Sequence, residues 1–365
     1  MIRFQKLAPL ALVAAVSFTA CKKDKDPVIV VPPSTGSQVQ FNGLVGTEAG
    51  ASAGNAVYFD LSTNTTTAVQ RTSWDLAFYC GTEFRVFLNN TTAAGAKVLT
   101  ATDLNAVGET DTIGQTLSVN QMSPSAADYA FFDNLDGSVT GTVIPEISAT
   151  DANNKVIILN RGAGGTTARP WIKLRILRNG SGGYTVQYAR ITATTFQTAS
   201  VSKDANYHVK LFSFDTGLTL TTGQPEKTQW DLVWSYSLFQ TNFGSGMVPY
   251  NFSDMIAVNS LSNVQVKEKT YADATAANAA YTAFNRDSIN KAENALVSGR
   301  WTIGSGWRVT SPSASEPVLG AKLNRFYLIK DANGNYYKLR CLSQGSGTVD
   351  GGTRGKPVFK YDLIP

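Results

Sequence analysis

The stretches "QWDLVWSY" at residues 229–236 and "SWDLAFYC" at residues 73–80 share the word Trp-Asp-Leu followed by an apolar pair. After each tryptophan the residues alternate in character, as they do along a β-strand that packs one face on a core. Two such strands lie about half the chain apart, so the surrounding sequence decides whether a longer unit is repeated.

The neighbouring words repeat in the same order. The matched pairs are "YFD" (58–60) with "SFD" (213–215), "KVIILNRG" (155–162) with "RFYLIKDANG" (325–334), "WIKLRIL" (171–177) with "YYKLRCL" (336–342), and "TVQYARI" (185–191) with "VFKYDLI" (358–364). These matches indicate a duplication of about 160 residues, a period too long for a solenoid repeat. We therefore predict two tandem domains, residues 41–200 and residues 201–365.

The composition favours a mainly β fold. Charged residues make up only 16% of the chain, and short alternating words are separated by turn-forming residues. We predict an antiparallel β domain in each half, each with one short helix. The helices are expected at residues 271–288, capped by Asp273, and at residues 123–132, capped by Ser123.

Each Trp-Asp-Leu word places an aspartate in a strand, where aspartate is unfavourable. We expect each carboxylate to pair with a cation of the neighbouring "KLR" strand on the outer face of the sheet. The expected pairs are Asp75 with Lys173 or Arg175, and Asp231 with Lys338 or Arg340. The alternative is that these charges are solvated separately.

Cys80 and Cys341 are the two cysteines beyond the N-terminal region. A disulfide between them is one interpretation for an exported protein. Strand alternation instead points each thiol into the core of its own half, which favours two buried free cysteines.

The N-terminus has the pattern of an export signal. Arg3 and Lys6 precede an apolar run at residues 7–18, and "FTAC" follows at residues 18–21. The cysteine after Thr-Ala resembles the lipobox of bacterial lipoproteins, which implies cleavage before Cys21 and its lipidation. The alternative is an ordinary signal peptide with an incidental cysteine. Residues 1–21 are thus a predicted signal peptide, and residues 22–40 a flexible tether.

Several functional classes lack support. The net charge of +5 without a basic block argues against nucleic-acid binding. A single histidine gives no paired-histidine metal site and little scope for a Ser-His-Asp triad. The glycine-rich segments join strands rather than open helices, so they are not phosphate-binding loops. We predict a protein without catalytic residues or a metal site.

The words resemble the HmuY family of haem-binding bacterial lipoproteins. The resemblance depends on the lipobox Cys21, "WDLVW", "TNFG" (241–244), "YYKLRCL" and "FKYDLI". It implies a mostly β protein that is lipid-anchored at the outer membrane, on the cell surface or the periplasmic face. It also implies haem as the ligand and a TonB-dependent outer-membrane receptor as a partner.

Haem ligation in this family uses two histidines or, in some relatives, methionine. His208 is the only histidine, and we interpret it as an exposed edge-strand residue. The candidate axial ligands are Met247 and Met255, with Met122 a weaker one, and the candidate slot residues are Tyr236, Phe243 and Tyr250. Each of these is alternatively an ordinary core or surface residue.

The first half lacks a "TNFG…M" segment, so at most the second half is expected to be active. Two other interpretations of the function remain open. The chain is a haem-independent module that binds a glycan, peptide or partner protein, or its first half is a structural spacer.

Overall fold

Antiparallel sheets dominate the computed structural model, which describes residues 31–346 and 350–365. The strands of the first half are β1 (Gly36–Gln40), β2 (Asn55–Asp60), β3 (Thr65–Gln70), β4 (Leu76–Tyr79), β5 (Val86–Leu88), β6 (Gly95–Val98), β7 (Ile157–Asn160), β8 (Ile172–Arg178), β9 (Tyr184–Arg190) and β10 (Gln197–Val201). Those of the second half are β11 (Val209–Ser213), β12 (Leu218–Thr219), β13 (Leu232–Asn242), β14 (Met247–Val258), β15 (Gln265–Thr270), β16 (Arg308–Val309), β17 (Gly320–Ala321), β18 (Arg325–Lys330), β19 (Tyr336–Ser343) and β20 (Val358–Leu363). The predicted mainly β fold is confirmed.

The helices are short. They are α1 (Ala274–Ala283) and α2 (Arg286–Ile289), with 3-10 turns at Gly50–Ser52, Arg71–Ser73, Asn90–Thr92, Leu104–Ala106, Glu109–Thr112, Ala126–Phe131, Asp151–Asn153, Ser260–Ser262 and Ala292–Asn294. Asp273 caps α1 as predicted, accepting the Ala276 N–H at 2.8 Å. The helix predicted in the first half is a 3-10 segment, and its cap is Ser125 rather than Ser123. No helix in the described part of the chain is long and apolar enough to cross a bilayer.

Four sheets contain all but one pair of these strands. Sheet A has the order β1-β20-β19-β18-β15, sheet B β14-β13-β2-β3, sheet C β12-β11-β4-β5, and sheet D β10-β9-β8-β7-β6. One apolar core joins sheets A and B around Trp234 and Tyr361, and a second joins sheets C and D around Phe78 and Tyr184. A third cluster, which includes Trp74 and Trp230, joins sheets B and C. The layers therefore follow the order A, B, C, D.

The two halves exchange hairpins. The β2–β3 hairpin of the first half pairs with β13 of the second, and the β11–β12 hairpin of the second half pairs with β4 of the first. The predicted division into residues 41–200 and 201–365 therefore follows the sequence repeats, while sheets B and C each combine strands from both halves. Residues 33–365 form one compact unit.

Strand register tests the word alignment. Leu174 faces Tyr188 and Leu339 faces Tyr361, so the "KLR" and closing words are equivalent as predicted. The "YFD"–"SFD" match is wrong by two residues, because Phe59 pairs with Leu232 as Phe212 pairs with Leu76. The shifted alignment matched Asp60 with Asp215, although Asp215 lies two residues beyond the structural equivalent of Asp60.

The Trp-Asp-Leu strands are covered on both faces, which the alternation did not predict. In β13, Leu232 and Trp234 face the core between sheets A and B, whereas Val233 joins the cluster between sheets B and C. Trp230, expected on the same face as Leu232, lies in the cluster between sheets B and C as well. Trp74 occupies the equivalent place in the first half.

The predicted pairing of Asp75 with Lys173 or Arg175 is wrong. Asp75 is fully buried and binds Arg161 and Arg169, with its Oδ1 2.7 Å from Arg161 Nε and 2.8 Å from Arg169 Nη1. Because a covered strand leaves the carboxylate without water, these two arginines supply its charge partners. Lys173 instead donates to the carbonyl of Val107, 2.6 Å away.

The predicted pairing of Asp231 with Lys338 or Arg340 is also wrong. Among the described residues no cation forms a salt bridge with Asp231, whose oxygens accept the N–H groups of Leu61 and Ala332 at 2.9 Å. Burial, together with the nearby carboxylates of Asp331 and Asp60, raises the pKa of Asp231 to about 7. Asp331 stands where the first half has Arg161, so the two copies differ in charge here.

Lys338 and Arg340 instead form hydrogen bonds with α1 and its C-terminal end. Lys338 Nζ donates to the carbonyls of Tyr281 and Phe284 at 2.6 and 3.1 Å, and Arg340 bonds the Asn278 side chain. Arg175 likewise donates to backbone carbonyls, those of Asn154 and Asp151. The "KLR" cations thus tie the covering segment of each outer sheet to its strand.

Cys80 and Cys341 are both free thiols. Cys341 is 5% exposed in the core between sheets A and B, as predicted. Cys80 is only half-buried, because it follows the last residue of β4 rather than lying within the strand. Residues 1–30, including Cys21 and the predicted signal peptide, lie outside the described residues. The last five residues of the predicted tether, 36–40, instead form β1, which pairs with β20.

Candidate functional site

The β13–β14 hairpin carries every haem-site residue that the sequence predicted except the weaker candidate Met122. Only residues 232–234 of β13 pair with β2, so the rest of β13 and most of β14 continue beyond that strand as a two-stranded ribbon. Asn242 faces Met247 at the tip. Gly244 and Gly246 have φ of 103° and 113°, a region that favours glycine, and both donate N–H groups to Asn242 Oδ1.

The ribbon tip is apolar and exposed. Phe243 is 63% exposed and Met247 is 45% exposed, which is unusual for large apolar side chains. Phe243 contacts Tyr250 edge to face, with ring centroids 5.2 Å apart. A row of aromatic contacts continues through Phe252 and Phe239 to Trp301. The structure thus brings Phe243 and Tyr250 into contact at the tip, whereas Met247 lies three residues before Tyr250 and so points to the opposite face of the strand.

Met255 and Tyr236 lie elsewhere on the ribbon. Met255 is 1% exposed and lies eight residues from Met247 on the same strand, about 26 Å at the usual rise per residue. The two methionines therefore do not converge on one iron. Tyr236 is half-buried under the Arg71 guanidinium, 4.9 Å from the ring centroid. Burial raises the pKa of Tyr236.

First-half loops flank the ribbon. Gln121 exchanges two hydrogen bonds with the backbone of Asn251, at 2.9 and 3.2 Å. The adjacent Met122 is 93% exposed, which makes it a second surface methionine near this ribbon. Sequence reasoning did not identify these loops, because nothing local in residues 115–140 specifies a contact with residues 240–251.

A cavity of about 160 Å³ lies between sheets B and C. Its aromatic lining comes from both halves of the chain and consists of Tyr58, Trp74, Phe87, Phe132, Trp230 and Trp301. Its polar lining includes Asp133, His208, Gln224, Asn259 and Arg300. No sequence signal predicted this cavity, although the equivalence of Trp74 and Trp230 pointed to a shared location.

His208 is not the exposed edge-strand residue that we expected. It is half-buried, lines the cavity, and precedes β11, which lies inside sheet C between β12 and β4. Its Nε2 is 2.8 Å from Ser262 Oγ. Burial lowers the pKa of His208 to about 4, assisted by the positive charges of Lys227 and Arg300, so the imidazole is neutral at neutral pH.

Within the described ranges, no three His, Cys, Asp or Glu side chains are grouped so that they could hold a metal ion. The structure thus offers two candidate sites. One is an exposed aromatic tip with a thioether, and the other is a small aromatic cavity with a guanidinium.

Comparison with known proteins identifies the family. No curated protein matches the chain. A crystal structure of the Tannerella forsythia apo HmuY analog aligns over 90% of this chain and 96% of that chain, at 11% identity and a TM-score of 0.22. The family model described as HmuY protein matches twice, at residues 52–210 and 205–361, and so covers most of the chain in tandem. The chain therefore belongs to the HmuY family.

Proposed function

We propose that this protein is a haem-capturing lipoprotein and that the tip of the β13–β14 ribbon makes the first contact with haem. Members of the HmuY family are binding proteins rather than enzymes. The observation that carries the proposal is the exposed tip, where Met247 is 45% exposed and Phe243 contacts Tyr250 across a glycine-bearing turn.

The chemistry of the tip fits a flat apolar ligand with a metal centre. A methionine thioether is an established axial ligand of haem iron. Aromatic rings supply large apolar faces on which a porphyrin can stack. The cavity between sheets B and C, at about 160 Å³, is smaller than the roughly 300 Å³ at which sites for drug-sized ligands begin. The ribbon is therefore the better supported location for haem.

The proposal includes lipid chains on Cys21 that hold the protein at the outer membrane, facing the periplasm or the exterior. Residues 22–35, which precede β1, would allow the folded part to reach a TonB-dependent receptor, to which haem is passed. Replacement of Cys21 by serine tests the anchor, since the variant should leave the membrane fraction while the unchanged protein stays with it. Equal membrane retention of both would contradict lipidation at Cys21.

Haemin titration of residues 22–365 tests the ligand and the site together. We expect a Soret shift in the unchanged protein, and a shift of different wavelength and weaker affinity in Met247→Ala, because the thioether ligand is lost. Leu323→Ala is the matched control, since Leu323 is a large apolar side chain with the same 45% exposure as Met247 and lies outside the ribbon. Phe243→Ala should weaken binding without changing the ligand-sensitive wavelength.

Two outcomes would overturn parts of this proposal. An identical spectrum and affinity in Met247→Ala would remove Met247 as the ligand. A flat titration of the unchanged protein would remove haem itself and favour the haem-independent alternative, in which the aromatic tip binds a glycan, peptide or partner protein.

A further inference from the structure

The cavity between sheets B and C contains buried polar atoms that nothing in the protein satisfies. Trp230 and Asn259 are 2% and 1% exposed, and Trp230 Nε1 and Asn259 Oδ1 have no hydrogen-bond partner among the described residues. Gln224 Oε1, on another part of the lining, is also buried without a partner. Buried polar atoms are unfavourable when they are left unpaired, so a ligand or water with complementary groups is expected.

Arg300 provides a positive charge on the same wall. In the described part of the chain its guanidinium has no carboxylate within salt-bridge distance and makes no hydrogen bond, and its Cζ lies 5.4 Å from the ring centroid of Trp301. The side chain is half-buried, and burial lowers the pKa of Arg300. A partly desolvated cation without a counter-charge favours an anion at this position.

The position of Arg300 is fixed by its surroundings. Its backbone carbonyl accepts the Val258 N–H at 2.7 Å. Its alkyl stem packs on Gly137, where a Cβ would lie 2.3 Å from Arg300 Cδ and where φ is 85°. Because only glycine fits there, residue 137 leaves room for the arginine stem. These contacts hold the Arg300 side chain at the cavity wall.

Asp133, the other charged residue in the cavity lining, does not neutralise Arg300. The oxygens of Asp133 accept the N–H groups of Leu88 and Val143, at 2.7 and 2.9 Å. Its carboxylate therefore already has partners from the backbone, and it forms no salt bridge with Arg300 at 4.0 Å or less. Lys227 and Arg300 add positive potential around His208. The polar end of the cavity thus favours an anion.

We propose that this cavity binds a small organic carboxylate with a body about the size of one benzene ring, held by Arg300. The volume of about 160 Å³ is close to that of apolar cavities that accept benzene. The rings of Trp74, Trp230 and Trp301 contact the apolar body, and Trp230 Nε1 and the guanidinium donate to the carboxylate. Asn259 Oδ1 and Gln224 Oε1 accept from a ligand hydroxyl. This site is separate from the haem site proposed on the ribbon.

Calorimetric titration of residues 22–365 with benzoate, 4-hydroxybenzoate and benzyl alcohol tests the inference. We expect both carboxylates to bind, the hydroxylated one more tightly. Benzyl alcohol, which keeps the ring and lacks the charge, should bind roughly 10- to 100-fold more weakly, as for the loss of one charge-assisted hydrogen bond. Arg300→Gln should lose benzoate binding by a similar factor, whereas Arg190→Gln, at an exposed arginine, should not.

The single histidine gives an independent readout. A carboxylate near His208 should raise the pKa of its imidazole, which NMR follows without assignment ambiguity, whereas benzyl alcohol should leave it unchanged. If Arg300→Gln does not fold, the cavity-filling variant Ala77→Leu takes its place and should abolish benzoate binding while the protein stays folded.

Two results would overturn the inference: no heat and no His208 shift with benzoate at millimolar concentrations, or benzoate binding that survives both Arg300→Gln and Ala77→Leu. The haem proposal is tested separately, because Arg300→Gln should bind haemin as the unchanged protein does. Loss of haemin binding in Met247→Ala likewise leaves the benzoate result unaffected.

Discussion

The aspartates of the two Trp-Asp-Leu words occupy equivalent buried positions but have different electrostatic surroundings. Asp75 is neutralised by Arg161 and Arg169, whereas Asp231 has no cation within salt-bridge distance in the described structure. Replacement of each by asparagine, which keeps size and removes charge, should therefore have unequal costs. We expect Asp75→Asn to be much the more destabilising of the two.

The magnitude for Asp75 follows from its contacts. Asparagine keeps one acceptor oxygen but loses the charge and the second oxygen, so it cannot keep both bonds to Arg161, at 2.7 and 2.9 Å, together with the bond to Arg169 at 2.8 Å. Removal of one partner from a buried ion pair costs about 3–5 kcal/mol. Asp215 still binds Arg161 at 2.7 Å, so the free energy of unfolding should fall by about 3 kcal/mol, the lower end of that range.

The magnitude for Asp231 is smaller. Its oxygens accept the N–H groups of Leu61 and Ala332, and asparagine can replace only one of these two acceptors. One lost hydrogen bond lowers the free energy of unfolding by about 1 kcal/mol. The removed charge offsets part of that cost, because the pKa of about 7 shows that burial already disfavours the carboxylate.

Urea unfolding followed by tryptophan fluorescence measures both variants, at pH 5 and pH 8. The folded-state pKa of Asp231 is raised above its unfolded value, so the folded protein holds the extra proton between about pH 4 and pH 7. The contribution of this group is therefore full at low pH and is lost as pH rises through 7. Asp231→Asn should lack this gain at pH 5. Equal costs for the two variants, or an unchanged pH response in Asp231→Asn, would refute the reasoning.

Three further outcomes are expected. The pKa of His208 is lowered to about 4, so its contribution to stability is lost as pH falls from about 6.5 to 4, and His208→Asn should flatten the melting temperature over that range. In the protein without residues 1–21, a thiol reagent should modify Cys80 in the folded state and the buried Cys341, whose pKa is raised by burial, only on unfolding. Lys338→Met should remove the bonds to the last turn of α1 and speed amide exchange in residues 274–283, without a matching change in β19.

Much of the secondary structure could be predicted from local sequence. Alternation located β8, β9, β19 and β20, the cap at Asp273 located α1, and the repeated words placed Trp74 and Trp230 in equivalent positions. These features depend on residues that are close in the chain. The arrangement of the sheets does not, because alternation shows that a strand has an apolar face without showing which strand it pairs with.

The aspartate pairings failed for the same physical reason. We expected an outer face for Asp75 because the strand alternates, but sheets B and C cover each other and leave no outer face there. The partner of Asp75 is Arg161, 86 residues away, which belongs to the turn after β7 rather than to the adjacent "KLR" strand. Fold-level layering therefore decided which cations were within reach.

The exchanged hairpins also determine how the two halves can be separated experimentally. Sheet B depends on β2 and β3 of the first half, and Phe41, Val57 and Phe59 complete the core around Trp234. Deletion of residues 41–200 would therefore remove half of sheet B as well as the loops of the first half, so a loss of haem binding would follow from unfolding alone. Sheet C has the reciprocal dependence on β11 and β12. Each half lacks strands that the other supplies, so point substitutions at the ribbon tip, rather than truncation, can show which copy binds a ligand.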